Sequence, residues 1–85
     1  MESFTHIVRD KAGLHARPAG QFAKAAREFD AAVTVLTERG TADGKRLLSL
    51  MRLAAKTGTV LTVLCDGTDE AAAAARLRRV LEDIL

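Results

Sequence analysis

The stretch GLHARPA, residues 13–19, lies where the hydrophobic pattern of the chain changes from a period of two to a helical one. Residues 3–9 before it alternate in polarity, which predicts a half-buried strand, and residues 17–28 carry apolar side chains at helical spacing. Pro18 fits the first turn of a helix, because the N–H that proline lacks would have no helical partner there. The residue before a proline is biased away from the helical region, so we expect Arg17 to be extended or turning. The stretch therefore predicts a loop that ends at a helix N-terminus.

His15 stands directly ahead of this predicted helix start, and Arg17 follows two places later. A helix N-terminus offers unpaired N–H donors and the positive end of the helix dipole, an arrangement that favours anions. A lone loop histidine is most often a surface residue without chemistry, but histidine, arginine, proline and an upstream glycine in one short run favour a phosphate or anion site. We therefore expect Ala16, Arg17 and Pro18 to line a phosphate-binding site beside the His15 imidazole.

The middle of the chain predicts a hairpin followed by a short helix. Residues 32–37 alternate as a strand does, and the turn Glu38-Arg39-Gly40 places glycine where a positive φ is needed. Residues 41–43 then form a short returning strand. Residues 47–53 are mostly apolar and predict a short helix.

The last third of the chain predicts one more strand and one more helix. Residues 59–65 are rich in β-branched side chains, which favour a strand. Thr68 is the expected N-cap of the last helix, and the acidic Asp69 and Glu70 suit the positive end of its dipole. The apolar stripe of this helix consists of Ala73, Leu77, Val80, Leu81 and Ile84. The order β-α-β-β-α-β-α predicts an α+β fold with the helices on one side of a largely antiparallel sheet.

Size and composition limit the class of protein. The 85 residues suffice for one domain spanning residues 1–85, with a small core of Leu, Val and Ala, since there are three Phe and no Trp or Tyr. No apolar run of about 18 residues could cross a membrane and no signal peptide is visible, so we expect a cytoplasmic protein. Cys65 is the single cysteine and is expected to be a small buried hydrophobe.

Charge and ligand spacing argue against two further classes. The net charge of +2 is too small to demand nucleic acid, and few aromatic side chains are available for base stacking. His6, His15 and Cys65 share no metal-ligand spacing, so neither a metal site nor a cofactor is expected. We expect His6 to pack at or near the sheet face that meets the helices.

The stretch GLHARPA, with Phe22-Ala23 and Phe29 after it, resembles the active-site segment of HPr, the histidine-containing phosphocarrier of the bacterial phosphoenolpyruvate-dependent sugar phosphotransferase system. The resemblance extends over nearly the whole chain and includes Lys45, Leu47-Leu48, Leu50-Met51, Leu53, Gly58, Gly67 and Asp69-Glu70. It implies an open-faced β-sandwich, in which a four-stranded sheet of order 1-4-2-3 carries three helices on one face.

The same resemblance implies a function for the histidine. His15 would accept a phosphoryl group at Nδ1 from enzyme I, which phosphoenolpyruvate charges, and pass it to an EIIA domain, with Arg17 assisting. The chain would then be a phosphoryl carrier and not an enzyme with its own small-molecule turnover. Attack on phosphorus requires a nitrogen lone pair, so the imidazole has to be neutral when it reacts.

Transfer between two proteins requires a docking surface around the histidine. By similarity to HPr, this surface is expected to comprise Gly20, Lys24 and Arg27 on the first helix and Leu47, Leu48, Met51 and Arg52 on the second. Residues 47–53 hold five large apolar side chains that cannot all face inward, so we expect Leu47 and Leu48 to be partly exposed. An apolar centre among basic residues suits fast, weak association of a monomer with acidic partners.

Arg46 departs from the family pattern. In many HPr proteins a serine follows the lysine here, and an ATP-dependent kinase phosphorylates it to switch the carrier off. Arg46 cannot be phosphorylated and adds a positive charge where the modification would add a negative one. Ser49 lies one helical turn further on and is a doubtful substitute, so we expect this chain to have no regulatory serine.

Two other interpretations stay open on the sequence. The chain could be an HPr paralogue that serves another relay branch, nitrogen-related or dihydroxyacetone. It could also be a regulatory binding module that docks other proteins and carries no phosphate. The presence of both His15 and Arg17 argues against the binding module.

Overall fold

The computed structural model describes all residues from Met1 to Leu85. The chain forms four strands and three helices in the predicted order. The strands are β1 (Glu2–Ile7), β2 (Ala32–Thr37), β3 (Gly40–Asp43) and β4 (Val60–Asp66), and the helices are α1 (Ala16–Ala26), α2 (Leu47–Arg52) and α3 (Glu70–Ile84). The bounds predicted for β2 are confirmed, and the ends of the other elements lie within two residues of the predictions.

The strands form one sheet of order β1-β4-β2-β3 in which every neighbouring pair is antiparallel. Phe4 pairs with Val63, Val63 with Val35, and Val35 with Ala42, so one row of side chains crosses all four strands. All four of these side chains are buried. Because side chains alternate between the two faces of a strand, this row marks the inner face of the sheet. The expected sheet order is confirmed.

The three helices cover the inner face and leave the other face open. Phe22 of α1, Leu50 of α2 and Leu77 of α3 are at most 2% exposed and belong to the same buried cluster as the inner strand residues. On the opposite face, Ile7 and Val60 pair across β1 and β4 and stay 57% and 49% exposed. The fold is an open-faced β-sandwich, which confirms the predicted class.

Helix α1 begins one residue earlier than the sequence predicts. Ala16 is its first residue, so Arg17 is helical, and the expectation of an extended or turning Arg17 is wrong. The first N–H groups of a helix have no intrahelical partner, so Pro18 at the third position removes no helical hydrogen bond. The His15 carbonyl accepts the Ala19 N–H at 3.0 Å. His15 is therefore the N-cap residue of α1.

The start of α3 also corrects the sequence prediction. Asp69, not Thr68, is the N-cap residue, and the helix begins at Glu70. The Asp69 carboxylate accepts the N–H groups of Asp30 and Ala31, both at 2.8 Å, and so ties the turn after α1 to the start of α3. These N–H groups, that of Asp30 foremost, hold the pKa of the Asp69 carboxyl below its ordinary value of 3.8. Local sequence patterns do not reveal such a distant partner.

Cys65 belongs to the core, whereas His6 is only partly buried. Cys65 is fully buried and burial raises the pKa of its thiol, which confirms the expected small buried hydrophobe. His6 is half-buried on the inner face of β1, as expected, and its buried Nε2 has no hydrogen-bond partner. Desolvation lowers the pKa of the His6 imidazole below 6.5.

No three His, Cys, Asp or Glu side chains are grouped to hold a metal ion. None of the three helices has the length and apolar character needed to span a bilayer.

Candidate functional site

A short loop between β1 and α1 positions His15. Gly13 has a φ of +70°, and a Cβ added there would collide with the Ala55 carbonyl oxygen, so glycine is required. The Leu14 N–H donates to the same carbonyl oxygen at 2.8 Å, which holds the loop against the segment before β4. The His15 N–H donates to the Gly13 carbonyl at 3.1 Å. Backbone contacts alone therefore place His15 at the N-terminus of α1, and its ring makes no capping hydrogen bond.

The His15 ring and the N-terminus of α1 are open to an external anion. His15 is exposed, has an extended backbone and makes no side-chain capping hydrogen bond. The N–H groups of Ala16 and Arg17 have no acceptor within the chain, and no acidic residue occupies the first turn. Unpaired donors at the positive end of a helix dipole favour an anion at this place.

An open cleft of about 310 Å³ brings together His15, Arg17 and Pro18 of the predicted site, and Ala16 is not part of its lining. It is lined by Asp10, His15, Arg17, Pro18, Gln21, Asp83 and Ile84. The Arg17 side chain forms no ion pair within the chain and is exposed. Its guanidinium is therefore free to bind an external anion in the cleft.

Three polar residues of this cleft were not anticipated from the sequence. Gln21 lies one helical turn beyond Arg17, Asp10 belongs to the loop after β1, and Asp83 belongs to the last turn of α3. One signal was present in the sequence. Glu82 and Asp83 place two acidic residues at the C-terminal end of a helix, where the dipole disfavours negative charge. The packing of α3 beside α1 then decides that Asp83 reaches the cleft.

A second surface combines exposed residues of α1 and α2. Leu47, Leu48 and Met51 are 37%, 69% and 38% exposed, which confirms the expected partial exposure of the two leucines. The Arg27 guanidinium donates to the Lys45 carbonyl at 2.9 Å and so links the end of α1 to the loop before α2. One open groove of about 640 Å³ includes Arg27, Leu47, Leu48 and Arg52 in its lining. The other predicted partner residues, Gly20 and Lys24, follow the one-turn spacing that leads along α1 to Arg27.

Arg46 is the N-cap residue of α2, and its neighbourhood contains one hydroxyl. The Arg46 side chain is 79% exposed, and its Nε lies 3.7 Å from the Asp43 carboxylate. Ser49 is half-buried, and its hydroxyl oxygen accepts the Asp43 N–H at 2.9 Å. The Ser49 hydroxyl therefore has a role in the fold, joining α2 to β3.

In this α+β protein, a histidine whose ring makes no capping hydrogen bond and an arginine without an ion pair lie at an open helix N-terminus. These are the features of a phosphoryl carrier. Comparison with known proteins gives the family. The family model described as PTS HPr component phosphorylation site matches residues 2–83. The chain is 36% identical over 83 residues to phosphocarrier protein HPr of Mycoplasma capricolum, covering 98% of this chain and 93% of that protein. It is 37% identical over 83 residues to the multiphosphoryl transfer protein of Xanthomonas campestris, covering 98% of this chain and 10% of that protein.

Solved structures agree with the sequence comparison. The histidine-containing phosphocarrier protein of Mycoplasma matches with a TM-score of 0.94 at 35% identity, covering 96% of this chain and 93% of that chain. An HPr dimer from Thermoanaerobacter tengcongensis matches with a TM-score of 0.77 at 30% identity, covering 98% of this chain and 95% of that chain. This chain belongs to the HPr family, the phosphocarrier proteins of the phosphotransferase system.

Proposed function

We propose that this chain carries a phosphoryl group on His15 between proteins of the phosphotransferase system. The observation that carries the proposal is the uncapped, exposed His15 ring, which shares one cleft with the Arg17 side chain. The unpaired N–H groups of Ala16 and Arg17 lie at the same helix end. Together they provide a nucleophile and the hydrogen-bond donors that a phosphoryl group needs. Pro18 lines the same cleft.

The transfer step uses the lone pair of a ring nitrogen of neutral His15. The P–N bond forms as the bond between phosphorus and the donor breaks, and the electron pair of the broken bond stays with the donor. The proton on the other ring nitrogen stays in place, and by resemblance to HPr the attacking atom is Nδ1. The phosphoryl oxygens then face the N–H groups of α1 and the Arg17 guanidinium. Helix-end stabilisation of an anion contributes about 0.3–1 kcal/mol, a modest amount that leaves onward transfer feasible.

The proposed donor is enzyme I, charged by phosphoenolpyruvate, and the proposed acceptor is an EIIA domain. The exposed Leu47, Leu48 and Met51 supply an apolar contact area, and Arg27 and Arg52 surround it with positive charge. Gly20 and Lys24 extend this surface along α1. Partners with an acidic rim and an apolar centre fit such a surface, and weak, fast association suits a carrier that has to leave one partner for the next.

The proposed carrier works as a cytoplasmic monomer. The exposed docking surface and the His15 cleft are complete within one chain, so no second copy is needed to build the site. One structural neighbour is described as an HPr dimer, which makes the oligomeric state worth measuring. Light scattering across a concentration series is expected to give the mass of one chain, and a constant dimer mass would contradict the proposed monomer.

The proposed carrier lacks control by serine phosphorylation. By resemblance to HPr, Arg46 occupies the position of the regulatory serine. The Ser49 hydroxyl already accepts the Asp43 N–H. Incubation with HPr kinase and ATP, followed by intact mass measurement, is expected to leave the chain unmodified. Arg46→Ser is the matched variant that restores the hydroxyl. A serine phosphate on the parent chain would contradict this part of the proposal.

One experiment tests the central proposal. The chain is mixed with enzyme I and phosphoenolpyruvate, and intact mass measurement is expected to detect one acid-labile, base-stable phosphoryl adduct. His15→Ala is expected to abolish the adduct completely. The chain has a second histidine, so His6→Gln is the matched control and is expected to keep the adduct.

The outcomes separate the proposal from its alternatives. No adduct on the parent chain with an active enzyme I would favour a regulatory binding module. An adduct that survives His15→Ala would contradict the assignment of His15. If the adduct forms, a panel of EIIA domains distinguishes sugar uptake from a nitrogen-related or dihydroxyacetone branch.

A further inference from the structure

The His15 cleft contains two carboxylates for which the transfer chemistry has no use. Asp10 and Asp83 line the same cleft as His15 and Arg17, and neither carboxylate is within ion-pairing distance of a basic side chain. Besides the His15 imidazole, the cleft is therefore lined by two carboxylates and one guanidinium. A phosphoryl dianion on His15 adds negative charge to a cleft that already has an excess of it.

The loop that carries His15 also fixes the position of Asp10. The Asp10 N–H donates to the Leu85 carbonyl at 3.2 Å, and its own carbonyl accepts the Gly13 N–H at 3.0 Å and the Thr57 hydroxyl at 2.6 Å. Its Oδ1 accepts the Ala12 N–H at 2.8 Å, which fixes the carboxylate group itself. The Asp10 charge is thus held in place beside the cleft before any phosphoryl group arrives.

The position of Asp83 is unfavourable for the helix that carries it. Asp83 lies in the last turn of α3, a turn with no basic residue, where the helix dipole already presents its negative end. An acidic residue costs helix stability at this place. Residues that destabilise the helix or strand in which they lie are expected at functional sites. The Asp83 carboxylate and the C-terminal end of the α3 dipole both add negative potential to the cleft.

We propose that Asp10 and Asp83 oppose the phosphoryl group on His15 and so keep its transfer potential high. The inference rests on the proposed function of His15. The N-terminus of α1 and Arg17 attract the phosphoryl group, and the two carboxylates repel it, so the balance sets how readily the P–N bond is given up. A carrier needs this balance because a phosphoryl group held too firmly would not pass to the next protein.

The test compares the phosphoryl-exchange equilibrium of the parent chain with that of Asp83→Asn and Asp10→Asn. Phosphorylated enzyme I is mixed with each chain, and the phosphorylated fraction at equilibrium is measured by intact mass. Each variant is expected to shift the equilibrium toward the phosphorylated chain by about two- to fivefold, the effect of one charge on a dianion across a hydrated cleft. High salt is expected to reduce the shift. Asparagine at position 10 keeps an acceptor for the Ala12 N–H.

Glu82→Gln is the matched control, because it removes the same charge from the same turn but from a side chain outside the cleft. It is expected to leave the equilibrium within the error of the parent value. An unchanged equilibrium in both Asp83→Asn and Asp10→Asn, or an equal shift in Glu82→Gln, would overturn the inference. If the parent chain takes no phosphoryl group, the proposed function falls and the inference with it. If the parent is phosphorylated and the two variants behave like it, only the inference falls.

Discussion

The N-termini of α1 and α3 have the same kind of backbone donors and differ in the charge of the side chains beside them. At α3, Asp69 is the N-cap residue and Glu70 occupies the first turn. The Glu70 carboxylate accepts the Gly67 N–H at 3.1 Å and the ammonium group of Met1 at 2.6 Å. At α1 the first turn has no acidic residue and the N-cap residue is His15. Neither N-cap side chain, His15 or Asp69, makes a capping hydrogen bond, so the two ends differ in charge.

The difference shows how a structural helix end is distinguished from a binding one. The α3 end has its own negative charge, so the positive end of its dipole already faces carboxylates of the chain itself. The first turn of α1 has no such charge, so its dipole and N–H donors remain available to an anion from outside. The absence of acids in the first turn of α1 therefore matters as much for the site as the presence of histidine and arginine.

The first and largest expected effect comes from making the α1 end resemble the α3 end. Ala16→Asp adds a carboxylate to the first turn of α1, where it occupies the positive potential and repels the phosphoryl group. The rate of phosphoryl transfer to His15 is expected to fall by about tenfold, since a unit charge roughly 5 Å from a dianion in water costs roughly 1.5 kcal/mol. Ala16→Asn is the neutral control of nearly equal shape. Equal rates of phosphoryl transfer in Ala16→Asp and Ala16→Asn would show that charge in the first turn of α1 does not control the site.

The second effect comes from opening the α3 end. Asp69→Ala leaves the N–H groups of Asp30 and Ala31 without their acceptor and releases the turn after α1 from α3. The melting temperature is expected to fall clearly, while phosphorylation of His15 at a temperature where the variant is folded stays unchanged. Thermal unfolding followed by circular dichroism checks the first outcome. Loss of transfer in the folded variant would show that the two helix ends are not independent.

The third effect is the pH dependence of stability that arises from the two carboxylates at the N-terminus of α3. Bonds from Asp30 and Ala31 lower the pKa of Asp69 below 3.8, and bonds from the Met1 ammonium group and Gly67 lower the pKa of Glu70 below 4.5.

Below those ordinary values the unfolded chain binds more protons than the folded one, so stability is expected to decrease as pH falls through this acid range. Urea unfolding at a series of acid pH values measures the slope, and Asp69→Asn is expected to make it shallower. Parallel slopes for parent and variant would contradict the assignment.

The smallest effect tests whether His6, the half-buried histidine of β1, is independent of both helix ends. Desolvation lowers the pKa of His6 below 6.5, so the unfolded chain binds more protons than the folded one just below that pH. Stability is expected to decrease slightly as pH falls from neutral through this window. His6→Gln removes the dependence, whereas Asp69→Asn leaves it in place. A pH profile that is flat between neutral pH and the acid range would contradict the prediction.

The local sequence was enough for most of the site. The stretch GLHARPA predicts a helix start with His15 and Arg17 beside it, and the structure brings these two and Pro18 into one cleft. Two details were wrong for the same physical reason. Arg17 is helical despite the proline bias, and Asp69 replaces Thr68 as the N-cap of α3. In each case hydrogen bonding around the helix end outweighed a one-residue preference.

By itself, the sequence determined the order of strands and helices, the inner face of the helices and the residues at the open end of α1, because periodicity and turn chemistry act over short distances. The tertiary structure decided which distant parts share that end. Asp10 and Asp83 reach the His15 cleft because α3 packs beside α1 and its C-cap residue, Leu85, accepts backbone N–H groups from the β1–α1 loop. Contacts between residues far apart in the chain depend on how whole elements pack, and no local pattern encodes them.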